Sequence, residues 1–109
     1  MENLRRSNCP ISCTLDILGD KWSLLIIRDI HYANKHRFEE FLQSKEGIST
    51  NILTDRLKKL DALGIIDKQK YSAHENRMNY MLTERGKKII PILEGIINWG
   101  LENIEGTEL

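Results

Sequence analysis

The sequence predicts a mainly α-helical domain that carries one small β-hairpin, an α+β arrangement. Apolar residues recur at helical spacing through most of the 109 residues, which is the pattern of amphipathic helices. Two strand-like runs, 65–71 and 77–82, flank a segment of turn-forming residues at 72–76, and this order is typical of a hairpin. The length suits one domain with a modest core, so we expect residues 1–109 to form a single domain.

The first two helices are predicted at about residues 10–18 and 21–32, joined at Gly19 and Asp20. A helix that is apolar on most sides belongs in the centre of a fold. We therefore expect the second helix to be central and its tryptophan to be a core residue rather than part of a cofactor site. The apolar side chains that nearly encircle this helix are Trp22, Leu24, Leu25, Ile26, Ile27 and Ile30.

A helix predicted at residues 49–63 has the clearest boundaries. Ser49 is a preferred N-cap residue because its hydroxyl can accept a hydrogen bond from a first-turn amide. Gly64 favours the left-handed conformation that ends many helices. Leu53, Leu57 and Leu60 lie at positions i, i+4 and i+7, so one face of the helix is expected to pack on a core.

The opposite face of this helix is polar. Its members are Ser49 at the cap, Thr50 in the first turn, Asn51, Thr54 and Lys58. Amides, hydroxyls and ammonium groups suit the base edges and phosphates of DNA, but a polar face is more often simply solvated. Arg56 lies closer to the leucine side, where a structural ion pair is as reasonable as a phosphate contact.

The neighbouring elements favour DNA binding. Upstream lies a short predicted helix within residues 37–45, with a three-residue connection that contains a glycine. The helix contains Phe38, Phe41 and Leu42, and the connection is Glu46-Gly47-Ile48. Helix, short turn and second helix form the helix-turn-helix pattern, whose second helix enters the major groove of double-stranded DNA. The hairpin at about 65–82 would then be a wing with Arg77 near its tip, so we predict a winged helix-turn-helix.

The charge distribution supports this assignment. The formal net charge of the chain is zero. Residues 51–88 contain nine Lys or Arg against five Asp or Glu, a balance of +4, whereas residues 89–109 contain four Glu and no Lys or Arg, a balance of −4. Positive charge therefore collects on the predicted recognition helix and wing, where phosphate contacts are needed.

The last predicted helix, residues 83–105, has two apolar faces. One stripe comprises Ile90, Leu93, Ile97, Leu101 and Ile104, and the other comprises Ile89, Ile92, Ile96 and Trp99. Two apolar faces require two partners, so we assign the first stripe to a homodimer contact; the alternative is that a thick monomeric core covers both. Because Pro91 lacks an amide hydrogen, a kink or break is expected there.

Other classes of protein find little support. Cys9 and Cys13 suggest neither a disulfide framework nor a zinc site, and no cofactor motif or nucleophile–base spacing points to an enzyme. No apolar run is long enough to span a membrane, and no secretory leader is recognisable. We therefore expect a cytoplasmic protein that has no metal, cofactor or membrane partner.

Several separated segments resemble the HxlR-type bacterial transcriptional regulators, relatives of the MarR group. The resemblance rests on Cys9-Pro10, LDILGDKWSLLIIR at 15–28, RFEEF at 37–41, ISTNILTDRL at 48–57 and YMLTERG at 80–86. It implies a small winged-helix homodimer that binds operator DNA as a repressor or an activator, with dimerisation helices at both ends of the chain. The predicted wing departs from the pattern, because residues 72–78 lack the proline usual in similar proteins and carry His74-Glu75-Asn76.

Cys9 is the candidate sensor of a small oxidant or electrophile. It precedes Pro10, a favoured first helical residue, so its sulfur would lie at a helix N-terminus with Arg5 and Arg6 near in sequence, surroundings that stabilise a thiolate. In regulators that this chain resembles, the cysteine of the Cys-Pro pair is often the sensor. The alternative is a small buried hydrophobe near the dimer contact.

A protein-interaction adaptor remains open as an alternative function. Winged helices also serve as adaptors that do not bind DNA, and Asp55 and Asp61 beside the polar face fit such a role. Indifference to DNA even at low salt would identify an adaptor, because binding to phosphates is strongest there.

Overall fold

The computed structural model describes residues 5–70 and 78–109 and confirms the predicted mainly α fold with one two-stranded antiparallel hairpin. The elements in chain order are α1 (Pro10–Leu18), α2 (Ser23–His31), α3 (Phe38–Phe41), α4 (Thr50–Ala62), β1 (Ile66–Lys70), β2 (Met78–Leu82), α5 (Glu84–Lys87) and α6 (Ile90–Asn103).

Helix α2 lies in the centre of the core, as its nearly continuous apolar surface predicts. Ile26, Ile27 and Ile30 are buried, and Trp22 packs against the core while remaining partly exposed. The leucine stripe of α4 belongs to the same core, since Leu53, Leu57 and Leu60 are buried in one cluster with these isoleucines. Further core residues are Leu18, Phe41, Ile48, Ile65, Ile66, Ile89 and Leu93.

Helices α3 and α4 form the helix-turn-helix, as predicted. Gly47 in the connection has φ of +73°, a left-handed conformation that glycine adopts without steric cost, while the next residue, Ile48, is buried. The connection is tied to α2 because Arg28 donates to both carboxylate oxygens of Glu46, at 2.8 and 2.9 Å. Arg28 Nε also donates to the buried Asp29 at 2.9 Å.

Strands β1 and β2 pair in a five-residue antiparallel register that runs from Ile66 opposite Leu82 to Lys70 opposite Met78. Ile66 is buried at the base, and the rest of β1 is exposed. Gly86 of α5 packs so closely under this base that a Cβ atom there would lie 2.1 Å from the carbonyl oxygen of Ile65. The predicted wing tip, including Arg77, lies outside the described residues.

The predicted C-terminal helix is divided in two, as expected from Pro91. Helix α5 ends at Lys87 and α6 begins at Ile90, which places Pro91 in the first turn of α6, where its missing amide costs no helical hydrogen bond.

Two residues of the predicted dimer stripe lie against the core of their own chain. Leu93 is 6% exposed and Ile90 packs against the same core, so these two side chains face their own chain rather than a partner. Ile97 is half-buried, whereas Leu101 and Ile104 are exposed. The second stripe is exposed at Ile92, Ile96 and Trp99, although Ile89 is buried.

Candidate nucleic-acid interface

The ends of α4 are fixed by the two residues that the sequence indicated. The hydroxyl of Ser49 accepts a hydrogen bond from the Ile52 amide at 3.2 Å, which satisfies one of the free donors of the first turn. After the last turn, Gly64 has φ of +73°, the conformation of an αL termination. A helix with both ends fixed presents its outer side chains in a defined orientation.

The outer side of α4 carries the predicted polar face. Thr50, Asn51 and Lys58 are exposed, and Thr54 is half-buried. The hydroxyl of Thr54 donates to the Thr50 carbonyl at 2.9 Å, so toward any further partner it can only accept a hydrogen bond. The amide of Asn51 can both donate and accept, which is the property needed to pair with an adenine edge.

The structure brings the hairpin next to this polar face, a feature that the sequence analysis missed. Lys68 of β1 and Tyr80 of β2 lie opposite each other in the sheet. Both line a cavity of about 100 Å³ together with Phe38 of α3 and with Thr54, Leu57, Lys58 and Asp61 of α4. Two ammonium groups, from Lys58 and Lys68, thus lie at one surface, so the wing base adds positive charge to the recognition helix.

Tyr80 links this surface to the core. Its ring lies 6.1 Å from that of Phe41 in an edge-to-face arrangement. Burial, together with the negative charge of Asp61, raises the pKa of Tyr80, so its hydroxyl stays protonated at neutral pH.

Of the two roles left open for Arg56, the structure shows the ion pair. Arg56 Nε donates to Asp20 Oδ1 at 3.0 Å, and its Nη1 pairs with Asp55. Hydrogen bonds with Asp20 raise the pKa of Arg56 further. Its side chain is 25% exposed, so the group lies at the flank of α4 and not on the polar face.

The candidate sensor lies at the N-terminus of α1. Cys9 is exposed and occupies the N-cap of α1, with Pro10 as the first helical residue. Its amide donates to the Ser7 hydroxyl at 3.2 Å. Cys13, one turn later, is half-buried and its thiol donates to the Ser7 carbonyl at 3.4 Å. Both thiols are free.

Large apolar side chains are exposed on α1 and α6. On α1, Ile11 is 71% exposed and Leu15 is 54% exposed. On α6, Ile92, Ile96 and Trp99 repeat at positions i, i+4 and i+7 and are all exposed, with Trp99 at 62%. Clustered exposed apolar side chains of this size are typical of protein-interaction surfaces.

Two further properties follow from the described residues. Within residues 5–70 and 78–109, no group of three or more potential metal-binding side chains comes together. In the same part of the chain, no helix combines the length and apolar character that crossing a bilayer requires.

Comparison with known proteins identifies transcriptional regulators. The sequence profile of HxlR-like helix-turn-helix proteins matches residues 17–108. An uncharacterized HTH-type transcriptional regulator of Synechocystis sp. is 36% identical over 97 residues, which cover 89% of this chain and 71% of that protein. The redox regulator HypR in its reduced form aligns with a TM-score of 0.80 at 32% identity, covering 89% of this chain and 95% of HypR. The reduced form of the transcriptional regulator YodB from Bacillus subtilis aligns with a TM-score of 0.72 at 26% identity, covering 94% and 100% of the two chains.

Proposed function

Because this chain belongs to the HxlR-like helix-turn-helix family, whose relatives are transcriptional regulators and not enzymes, we propose that it binds operator DNA as a homodimer. We further propose that the protein acts in the cytoplasm on double-stranded DNA and that it responds to oxidants or electrophiles through Cys9. The observation that carries the proposal is the exposed polar face of a firmly capped α4 beside the lysines of the hairpin.

The polar side chains of this surface have different roles because their functional groups differ. Asn51 and Thr50 project from the N-terminal part of α4, the part of a recognition helix that contacts base edges. Lys58 and Lys68 supply ammonium groups for phosphates, which position the protein but do not specify sequence. Ser49 holds the helix end, Thr54 accepts hydrogen bonds in the groove, and Arg77 of the wing contacts the backbone.

The dimer forms through the exposed apolar side chains of α1 and α6. Ile11 and Leu15 on α1 and the Ile92, Ile96 and Trp99 stripe on α6 have no cover within the described part of the chain. Removal of such side chains from water is favourable by about 25 cal/mol per Å², and an isologous contact buries each of them twice. Leu101 and Ile104 extend this surface toward the end of the chain.

The thiol response follows from the position of Cys9 on the same helix as Ile11 and Leu15. An exposed sulfur at a helix N-terminus is accessible to an oxidant or electrophile. A covalent change there alters how α1 packs at the dimer contact. Because two recognition helices must match two half-sites about 34 Å apart, a change in the dimer contact changes operator affinity.

The test is a fluorescence anisotropy titration of labelled duplexes with purified protein across a salt series. A preferred duplex is first selected from a random pool in vitro, and DNA flanking the gene of this protein is included as a candidate. We expect tight binding to the selected duplex, a steep fall with salt, and loss of binding when five base pairs are inserted between its half-sites.

Two results would contradict the proposal in different ways. Absence of binding to any duplex at low salt would exclude a DNA-binding role and favour the adaptor. Binding that tolerates the five-base-pair insertion would exclude a fixed dimer that contacts two half-sites.

A further inference from the structure

The junction between α1 and α2, residues 17–23, is bound to one flank of α4 by charged groups. Lys59 Nζ donates to the carbonyl oxygen of Ile17 at 2.8 Å and lies 3.5 Å from Asp20 Oδ2. Arg56 Nε donates to Asp20 Oδ1 at 3.0 Å. The Ile17 carbonyl belongs to the last turn of α1, where no amide of the same helix is available to it.

Asp20 is the centre of these contacts. Its Oδ1 accepts from the amides of Trp22 and Ser23 at 2.8 and 2.9 Å, and its Oδ2 accepts from the Ser23 hydroxyl at 2.5 Å. Partial burial raises the pKa of Asp20, but the hydrogen bonds from Ser23, Trp22 and Arg56 outweigh it and hold the pKa well below its ordinary range. The carboxylate therefore stays charged at every pH at which the protein would act.

The flank formed by Arg56 and Lys59 differs from both the core side and the polar side of α4. At about 100° per residue, the midpoint of these two cations lies roughly 100° from the leucine stripe and roughly 120° from the centre of the Asn51 and Lys58 face. Neither therefore projects from the face proposed to enter the groove. Apolar packing by leucines is non-directional, whereas two hydrogen-bonded cations one turn apart fix the rotation of the helix about its axis.

We infer that Arg56 and Lys59 are positioning residues, which use Asp20 and the end of α1 to set the angle at which α4 presents its polar face to DNA. The inference rests on the proposed function, since it concerns how that function gains sequence specificity. A correct rotation matters for base contacts, which need alignment with one base edge, more than for phosphate contacts, which are long-range and sequence-independent.

Asp20→Asn tests this inference directly. The Asn side-chain oxygen still accepts from the amides of Trp22 and Ser23, and its NH2 can donate to the Ser23 hydroxyl, which donates to Asp20 Oδ2 in the wild type. The start of α2 therefore stays capped, while the charge that holds Arg56 and Lys59 is lost. Asp16→Asn is the matched control, because it removes the same charge from an exposed α1 residue that pairs with Arg6 at 3.1 Å.

The measurement is the ratio of affinities for the selected duplex and for a scrambled duplex, with folding of each variant checked by circular dichroism. We expect Asp20→Asn to lower this ratio by roughly tenfold, which corresponds to about 1.4 kcal/mol, with an unchanged salt slope and unchanged binding to the scrambled duplex. Asp16→Asn should keep the ratio of the wild type. A role in stability alone would leave the ratio unchanged as long as the variant stays folded.

Arg56→Met, alone and combined with Asp20→Asn, completes the test. We expect the single change to lower the ratio, and to have little further effect in the Asp20→Asn protein because both remove the same contact. If Arg56 contacts a phosphate instead, Arg56→Met reduces the salt slope by about 0.9 and weakens binding to both duplexes.

Three results overturn the inference. Additive effects of the two changes, a reduced salt slope in Arg56→Met, or an Asp20→Asn protein that keeps the wild-type ratio would each exclude a positioning role while leaving the proposed function intact. If the wild-type protein itself does not distinguish the two duplexes, the proposed function fails and this inference fails with it.

Discussion

Replacing Glu46 with Gln removes the charge from the ion pair that joins the helix-turn-helix connection to α2. Arg28 donates to both oxygens of this carboxylate, and these hydrogen bonds hold the pKa of Glu46 at about 2 against an ordinary value of 4.5. Gln has nearly the same shape and keeps one acceptor for the guanidinium. The substitution therefore changes charge and leaves packing in place.

The pKa of Glu46 sets an upper limit on the effect. One pKa unit corresponds to about 1.4 kcal/mol, so the pair would stabilise the fold by about 3 kcal/mol if it were shielded from water. The side chain of Glu46 is 38% exposed and that of Arg28 is 32% exposed, and solvent screening of such pairs reduces the contribution to about 1 kcal/mol. Because the folded-state pKa lies below the unfolded-state pKa, this stabilisation is present above pH 4.5 and is lost as the pH falls toward 2.

The assay is urea denaturation followed by circular dichroism at neutral pH and near the pKa of folded Glu46. We expect the free energy of unfolding of Glu46→Gln to be about 1 kcal/mol below that of the wild type at neutral pH, with the difference shrinking as the pH approaches 2. Glu84→Gln is the control, since Glu84 is 89% exposed and its pair with Lys87 should contribute almost nothing. Equal stabilities at neutral pH, or a difference that persists at the acidic end, would refute the reasoning.

Four further substitutions test separate parts of the molecule. Asn51→Ala should weaken binding to the selected duplex by roughly 1–3 kcal/mol and leave binding to a scrambled duplex unchanged; equal losses on both duplexes would exclude base recognition by Asn51. Gly86→Ala should destabilise the fold by about 1–3 kcal/mol in urea denaturation because its Cβ meets a backbone carbonyl, and unchanged stability would show that the hairpin base can move. Trp99→Glu should convert dimers to folded monomers in sedimentation velocity, since this exposed side chain lies outside the core; an unchanged sedimentation coefficient would place the contact elsewhere. Cys9→Ser should abolish the effect of mild oxidant on operator affinity, whereas a response equal to that of the wild type would exclude Cys9 as the sensor.

The features predicted from the sequence are those set by local rules. The cap at Ser49, the glycine termination at Gly64 and the leucine stripe between them depend on residues within one helix. The break near Pro91 follows from the missing amide of one residue. Such features need no knowledge of what the helix packs against, and each is present in the structure.

The features that were missed depend on contacts between distant parts of the chain. Arg56 reaches Asp20 across 36 positions, and Lys59 reaches Ile17 across 42. The helical position of Arg56 near the leucine side left a structural ion pair open, but the sequence names no partner for it, and Lys59 was not singled out from Lys58, which is exposed on the polar face. The partners depend on the rotation of α4 against the junction of α1 and α2, and no periodicity within α4 encodes that rotation. Lys68 was missed for the same reason, because it approaches the polar face only through the pairing of β1 with β2.

The apolar pattern of the C-terminal helix predicts only part of how that helix packs. Its sequence correctly indicates two faces, but it does not say which one meets the core. Ile89 and Leu93 pack into the core, whereas Ile92, Ile96 and Trp99 are exposed. Because both faces are apolar enough to be buried, the face that packs on the core is determined by the direction that the helix takes after the break before Ile90. The outward stripe and the exposed apolar residues of α1 therefore remain for a partner. The end of α1 is joined to α4 by Lys59, which donates to the Ile17 carbonyl, and the junction that follows is joined to α4 by Arg56, which donates to Asp20. In the proposed dimer, the helix that carries Cys9 is therefore also the helix whose C-terminal end is hydrogen-bonded to α4.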